Sequence, residues 1–455
     1  MKNMRVVMTN MGCYVNKGDR AILISIVKYL SEKYPFLKIL VQGEFSELLE
    51  FNSFDAQILN SVTFIHISAH PFTGYLKVIL SKIKVRKCSF SNNHLTANLN
   101  FQKQKSLYSK FLLSLTTIID LFLLIFRIPP LVKNIYLKNS DLIISGGGTQ
   151  LEEAESGKSI IPLFVHNLTP LYLSKLTYKK PTYIVGQTIG PIRTFLGKLL
   201  TKFILEKFDG IYVREIHSLN YLKTTLLIKN CNIGMSGDLV FLLYGTSAVN
   251  DYKNVKIEFY FNNNRTLGIC LRKSKQIDSK VLITIFSQFI NYILKNTNFI
   301  IYLYPQVIDK MNDFHNDYDL LYVLYKNYEG NKRVVLLDTS DWSIFDCIQF
   351  LNGLDFLISM RMHPIIFKVI GESKKHSFIA ISHIHKFEGL LDDLKCSNRL
   401  ISIKELTLEC LIEKFSEVSK NEKILCKELD FVKQRISEVI DNIIIENYNK
   451  KFNLM

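Results

Sequence analysis

Short apolar runs rich in β-branched residues recur through the chain with helix-length stretches between them, and few folds accept that alternation. It is the pattern of parallel sheets covered by helices. In the first half the runs fall near Arg5–Thr9, Leu37–Gln42, Val62–Ile67, Asp141–Ser145, Thr182–Val185 and Gly210–Val213. In the second they fall near Thr266–Leu271, Phe299–Tyr304, Val334–Leu337, Phe356–Ser359 and Phe378–Ile381, with a helix predicted over Ser340–Leu351. At 455 residues the chain exceeds one ordinary core. The repeated theme makes it α/β with two Rossmann-like domains, 1–250 and 262–405, joined by a polar stretch near 246–265 that has no clear period. Residues 68–140 are too long for a normal connection and predict a helical insertion in the first domain, while 406–455 reads as a charged helical tail.

Ligands of such sheets bind outside the carboxyl ends of the strands, in the cleft that two such domains share, so chemistry is sought just after each run. The first run leads into Asn16-Lys17-Gly18-Asp19-Arg20, a glycine turn entering a helix, where free N–H groups can hold an anion. A plain helix cap explains Asp19 equally well. After the fourth run stand Gly146, Gly147 and Gly148, which let backbone approach a ligand closely. Gly157-Lys158-Ser159 imitates the end of a P-loop, but Glu152 occupies the position that motif reserves for glycine. The fifth run ends in Gly186-Gln187-Thr188-Ile189-Gly190-Pro191, and the sixth delivers Val213-Arg214-Glu215 with Ser218 following. An arginine so placed can grip a carboxylate or phosphate with two parallel hydrogen bonds, or simply pair with its neighbouring glutamate. Ser236-Gly237-Asp238 borders the same edge.

In the second half the informative stretch is Ser359-Met360-Arg361-Met362-His363-Pro364. Proline suits the first position of a helix, which would make His363 its N-cap, and extended alternation would set Ser359, Arg361 and His363 on one side. A basic clamp and a titratable imidazole would then share the cleft. Ser382-His383-Ile384-His385-Lys386, then Gly389, adds cation at the same edge. The two histidines lack an evident third ligand, so no metal is expected. Asp317-Tyr318-Asp319 looks like a divalent-ion pair, a pattern that also arises often by accident.

Lys and Arg number 57 against 41 acidic residues, a net charge of +16 that favours anionic partners such as phosphorylated substrates, acidic glycans or lipid head groups. No Lys/Arg run interleaved with aromatics is present, which argues against nucleic acid. The 8 cysteines are scattered without a C-x-x-C pair and the N-terminus lacks a signal-length apolar stretch, so a cytoplasmic setting is expected. Residues 111–126 are strongly apolar, flanked by lysines and interrupted by Asp120. At about 16 residues they fall short of the roughly 20 needed to span a bilayer. They read either as a buried helix or as one that dips into the inner leaflet for peripheral membrane contact.

Taken in order, N-x-G-D-x-A-I, the triple glycine, G-Q-T-I-G-P, V-R-E with its serine, S-G-D, S-M-R-M-H-P and K-x-x-G resemble the polysaccharide pyruvyltransferase family over roughly 8–395. The resemblance implies the two-domain architecture of nucleotide-sugar glycosyltransferases, called GT-B. It also implies transfer of a pyruvyl group from phosphoenolpyruvate to a sugar of a surface polysaccharide, as a ketal. It implies phosphoenolpyruvate as co-substrate with no resident cofactor, and a glycan or lipid-linked oligosaccharide as acceptor. By it His363 is the functional histidine and Arg214 the donor-binding arginine, with Asn16, Gly18, Asp19, Gly146–Gly148, Gln187, Ser218, Arg361 and Lys386 around the substrates. A glycosyltransferase with a nucleotide-sugar donor is the rival on the same architecture.

Overall fold

The computed structural model describes residues 2–11, 16–42, 134–148, 151–153, 167–229, 232–261, 265–309, 316–371, 376–382 and 386–454, with Asp55, Ile58, Leu59 and 61–65. The predicted insertion falls outside the described residues except for 134–140, as do the apolar segment 111–126, His383 and His385.

Thirteen parallel strands among the described residues form two sheets. The first contains β1 (Met4–Thr9), β2 (Leu37–Gln42), β3 (Thr63–Ile65), β4 (Leu142–Ser145), β5 (Thr182–Gln187), β6 (Gly210–Val213) and β7 (Asn232–Met235), in the order β3-β2-β1-β4-β5-β6-β7. The second contains β8 (Thr266–Cys270), β9 (Ile300–Leu303), β10 (Val334–Leu336), β11 (Phe356–Ser359), β12 (Phe378–Ser382) and β13 (Leu400–Ser402), in the order β10-β9-β8-β11-β12-β13. In each sheet the order reverses once, between β1 and β4 and between β8 and β11. Those reversals open the crevices in which ligands of doubly wound sheets bind.

The helices that position the site are α1 (Lys17–Lys33), α2 (Ile216–Asn220), α3 (Ser279–Asn296), α4 (Asp317–Tyr325), α5 (Ile344–Gly353), α6 (Met362–Val369), α7 (Lys386–Asp393), α8 (Leu408–Lys420) and α9 (Cys426–Phe452). Helix α1 starts where Asn16 caps it, its Oδ1 accepting from Gly18 N at 3.0 Å. Ala21, Ile22, Leu23, Ile24, Ile26, Val27 and Leu30 of α1 are all buried. A helix apolar on so many sides must be covered on more than the sheet side. The further cover comes from α5, from the 3-10 turn Leu239–Leu243 and from α9. Helix α9 crosses back from the second domain to the first, where Asp441 accepts from Tyr29 Oη and Tyr34 Oη, both at 2.7 Å, and pairs with Lys33. Burial, followed by that carboxylate, pushes both phenols up. One apolar core thus runs beneath both sheets and through α1, α5, α6 and α9, while α3, α4 and α8 close a second core on the other face of the second sheet.

The predicted helix at Ser340–Leu351 begins at Ile344, because Ser343 and Asp346 form a reciprocal capping box there. The polar link contains short helical turns at Ser247–Asn250 and Val255–Glu258, docked on α5 through Tyr252 Oη and Asn254 Nδ2, each 2.7 Å from Asp346 Oδ1.

Candidate active site

The two crevices face each other, and Gly18 of the first domain packs against His363 of the second. A methyl carbon built on Gly18 would lie 2.1 Å from His363 Nδ1, so only glycine lets the imidazole rest on the first turn of α1. Helix α6 starts at Met362 with Arg361 as N-cap, and His363 is therefore its second residue and Pro364 its third. This corrects the expectation of a capping histidine before a first-position proline. Proline is tolerated here because first-turn N–H groups have no intrahelical partner. The extended alternation also stops early: the Ser359 hydroxyl accepts from Arg361 N at 3.0 Å and donates to Arg361 O at 2.7 Å, tightening the turn. Arg361 and His363 reach the cleft from a turn and a helix.

The imidazole is buried, and Nε2 has no hydrogen-bond partner among the described residues. The Asp238 carboxylate stands with Oδ2 3.7 Å from Nε2. Burial pushes the imidazole down to about 4, with Arg214 and Arg361 adding to the effect and Asp238 opposing it, so the ring is neutral near pH 7.

Arg214 follows β6 directly. Its Nε donates to Glu215 Oε2 at 3.2 Å, its Nη1 to Asp238 Oδ2 at 3.3 Å and its Nη2 to Thr188 Oγ1 at 2.6 Å. Burial opposes its charge, but Glu215 and Asp238 outweigh burial and hold Arg214 above the usual guanidinium value. Ser218, early in α2, donates to Glu215 Oε1 and accepts from Ile189 N at 2.9 Å, so it supports this network from behind. Asp238 meanwhile caps the turn that follows it through Val240 N at 3.0 Å. Asp238 therefore ties the arginine of one domain to the histidine of the other.

Arg361 donates Nε and Nη2 to the two oxygens of Asp317, at 3.0 and 2.6 Å. Asp317 Oδ2 also accepts from Val307 N at 3.0 Å. The acidic pair of the sequence thus supplies an arginine clamp. Lys386, at the start of α7, reaches Glu152 Oε2 at 2.7 Å across the domains; burial lowers its pKa and Glu152 opposes the shift. Together with Arg214, Glu215, Asp238, Met362 and Leu390 it lines a narrow cavity.

The remaining expected residues split in two. Asp19 sits in the first turn of α1, held by Asn16 Nδ2 at 3.1 Å and facing Gly148, with its charge felt by both Arg214 and Arg361. The cap itself is Asn16. Gly147 adopts φ +103°, and Asn10 O passes where a side chain would stand, so this glycine serves the loop. Gly146 faces Met11. Gln187 lies beneath the loop, accepting from Ser145 Oγ at 3.2 Å, with its Nε2 unpartnered.

Two cations escaped the sequence reading. Lys17, buried at the start of α1, donates to Thr339 Oγ1 of the second domain at 3.0 Å, and burial lowers its pKa. Arg272 stands two residues past β8; burial, then Arg361, lower its pKa to about 10. A strand-end arginine in the second half was the available signal for it. Among the described residues no group of three or more His, Cys, Asp or Glu could hold a metal ion, and no helix is long and apolar enough to cross a membrane.

The family model for polysaccharide pyruvyl transferase matches residues 16–367, from the cap of α1 into α6, and so includes Gly18, Arg214, Arg361 and His363. The amylovoran biosynthesis protein AmsJ of Erwinia amylovora is 20% identical over 293 residues, 63% of this chain and 67% of that protein. Among solved structures, a protein described as a UDP-N-acetylglucosamine 2-epimerase from Listeria monocytogenes aligns over 100% of this chain and 98% of its own, with 11% identity and TM-score 0.54. The UDP-GlcNAc 2-epimerase of Methanocaldococcus jannaschii aligns over 96% and 98%, with 12% identity and TM-score 0.51. Sucrose-phosphate synthase of Thermosynechococcus elongatus aligns over 100% of both chains, with 9% identity and TM-score 0.51. At such identities these likenesses show the fold alone, and that fold is the GT-B-like pair of α/β domains.

Proposed function

Because the chain belongs to the polysaccharide pyruvyl transferase family, we propose that it moves the pyruvyl group of phosphoenolpyruvate onto two hydroxyls of one sugar in a surface polysaccharide. The observation that carries this reading is the unpartnered Nε2 of His363, set between two arginines and one aspartate at the point where the domains meet. A buried polar atom without a partner is costly, and a substrate that supplies the partner recovers the cost.

Ketal formation adds a proton to the methylene carbon of phosphoenolpyruvate, leaving positive charge on the carbon that bears phosphate. One sugar hydroxyl bonds to that carbon, the carbon–oxygen bond to phosphate breaks, and a second hydroxyl closes the ketal, with both hydroxyl protons leaving. His363 is the acid and base of these steps. Its lowered pKa keeps it neutral near pH 7, which suits a base; a bound dianionic phosphate raises that pKa toward the value an acid requires. Arg214 and Arg361 balance the donor's charge as phosphate departs. Asp238, 3.7 Å from Nε2, favours the protonated imidazole through its charge. The acceptor is a glycan, lipid-linked or free, and its sugar enters from the cleft.

A nucleotide-sugar glycosyltransferase is the second reading, favoured by the shared fold alone. Saturation-transfer NMR with phosphoenolpyruvate, UDP-sugars and GDP-sugars separates the two. The proposal expects signal from phosphoenolpyruvate that disappears in His363→Ala with Arg361→Gln; signal confined to nucleotide-sugars contradicts it.

A further inference from the structure

Three arginines stand at the strand ends around the cleft, and they differ in what they already hold. Arg214 is engaged by two carboxylates and a hydroxyl, and Arg361 by both oxygens of Asp317. Arg272 has one hydrogen bond among the described residues, from Nε to Lys273 O at 3.3 Å, and no carboxylate pairs with it. Both ends of its fork are left for something else.

Its position follows from the sheet. Strands β8 and β11 are paired with Cys270 level with Ser359, and Met360 N donates to Cys270 O at 2.8 Å. Arg272 and Arg361 each follow the end of one of these paired strands by two residues, at the reversal of strand order in the second sheet, and the charge of Arg361 acts on Arg272. Two guanidiniums therefore stand together in a half-buried place, where Asp317 is bonded to Arg361 and acts on Arg272 only through space. Like charges brought together out of water repel unless an anion joins them. Gln306, which follows β9 on the other side of β8, is buried with Nε2 unpartnered. Lys17 enters the same neighbourhood from α1, where Asp317 is among the charges that act on it.

We propose that Arg272 is a further anion-binding residue, which with Arg361 receives the phosphate group of the donor on the second domain. This rests on the pyruvyl transfer reading for the identity of the donor. The donor then lies across His363, with its phosphate on the second sheet and its reacting carbons toward α1. Arg272 is a binding residue whose fork fits a tetrahedral anion, which a lysine matches only as a point charge.

The test is a phosphorus NMR titration of inorganic phosphate and of phosphoenolpyruvate into the wild-type protein, Arg272→Gln and Arg272→Lys, with the melting temperature of each. The proposal expects Arg272→Gln to bind both ligands at least about tenfold more weakly and Arg272→Lys to fall between. It also expects the melting temperature to hold or rise, since a half-buried charge without a carboxylate partner is gone; a purely structural arginine would lower it. Wild-type affinity for phosphate in Arg272→Gln overturns the proposal, and if phosphoenolpyruvate is still turned over, the function stands without it. Phosphate lost in Arg272→Gln from a protein that never binds phosphoenolpyruvate keeps the anion site and overturns the donor.

Discussion

His363 is where the chemistry and the cost of folding meet. Its folded pKa of about 4 lies below the ordinary 6.5, so between those values the unfolded chain takes up a proton that the folded one refuses. Stability is therefore lost as pH falls from 6.5 toward 4, and none is lost above that window. His376, also buried and lowered to about 4, acts in the same direction. Melting temperatures at pH 7 and pH 5 should thus drop less in His363→Ala than in the wild type; an equal drop contradicts a buried neutral imidazole. The same variant should lose about 10²–10⁴-fold in turnover. Gly18→Ala tests the contact from the other side. Its methyl would overlap the imidazole, and a loss of about 1–3 kcal/mol is expected, with activity falling through displaced His363. Denaturant unfolding reads the first effect and steady-state kinetics the second.

At the scale of elements, α9 ties the halves of the cleft together. Arg435 donates Nη1 and Nη2 to Asp393 of α7, at 3.1 and 2.7 Å, and Nε to Ser236 O beside β7, at 2.8 Å. Arg435→Ala should cost about 2–3 kcal/mol, and because it frees α7 from the turn that carries Asp238, the donor KM should rise as well. Unchanged stability and KM would make α9 mere cover. This role was not legible in the sequence, where the stretch after 405 shows helical period and charge but nothing that names its docking surface. The eleven predicted strands were legible, since each is an apolar run packed against a core. Strands β7 and β13 were not: the Asn-Ile-Gly-Met of β7 carries little apolar signal, and the apolar pair Leu400-Ile401 of β13 is shorter than the predicted runs over β3 and β10. The helix starts at Ile344 and Met362 depend on a capping box and a serine turn, which hydrophobic period does not register. Arg214, Arg361, His363 and Gly18, which the structure brings to one cleft, were expected there because strand ends and glycine turns mark ligand sites. Lys17 and Arg272 carry the same mark, but which cations meet there depends on how the domains face each other.

For the molecule as a whole, the continuous core beneath both sheets holds the two crevices in apposition at the Gly18–His363 contact, which is where the proposed transfer brings donor and acceptor together. A transferase built this way works by positioning reactants and balancing charge with residues from both domains. The measurement that tests this most directly is phosphate release from phosphoenolpyruvate on adding lipid-linked oligosaccharide from the source cells, with mass spectrometry of the glycan. Pyruvyl transfer gives phosphate together with a gain of about 70 daltons, a pyruvate ketal less one water, and both vanish in His363→Ala. No phosphate and no mass change, with acceptor shown to be present and a nucleotide-sugar consumed instead, would contradict the account.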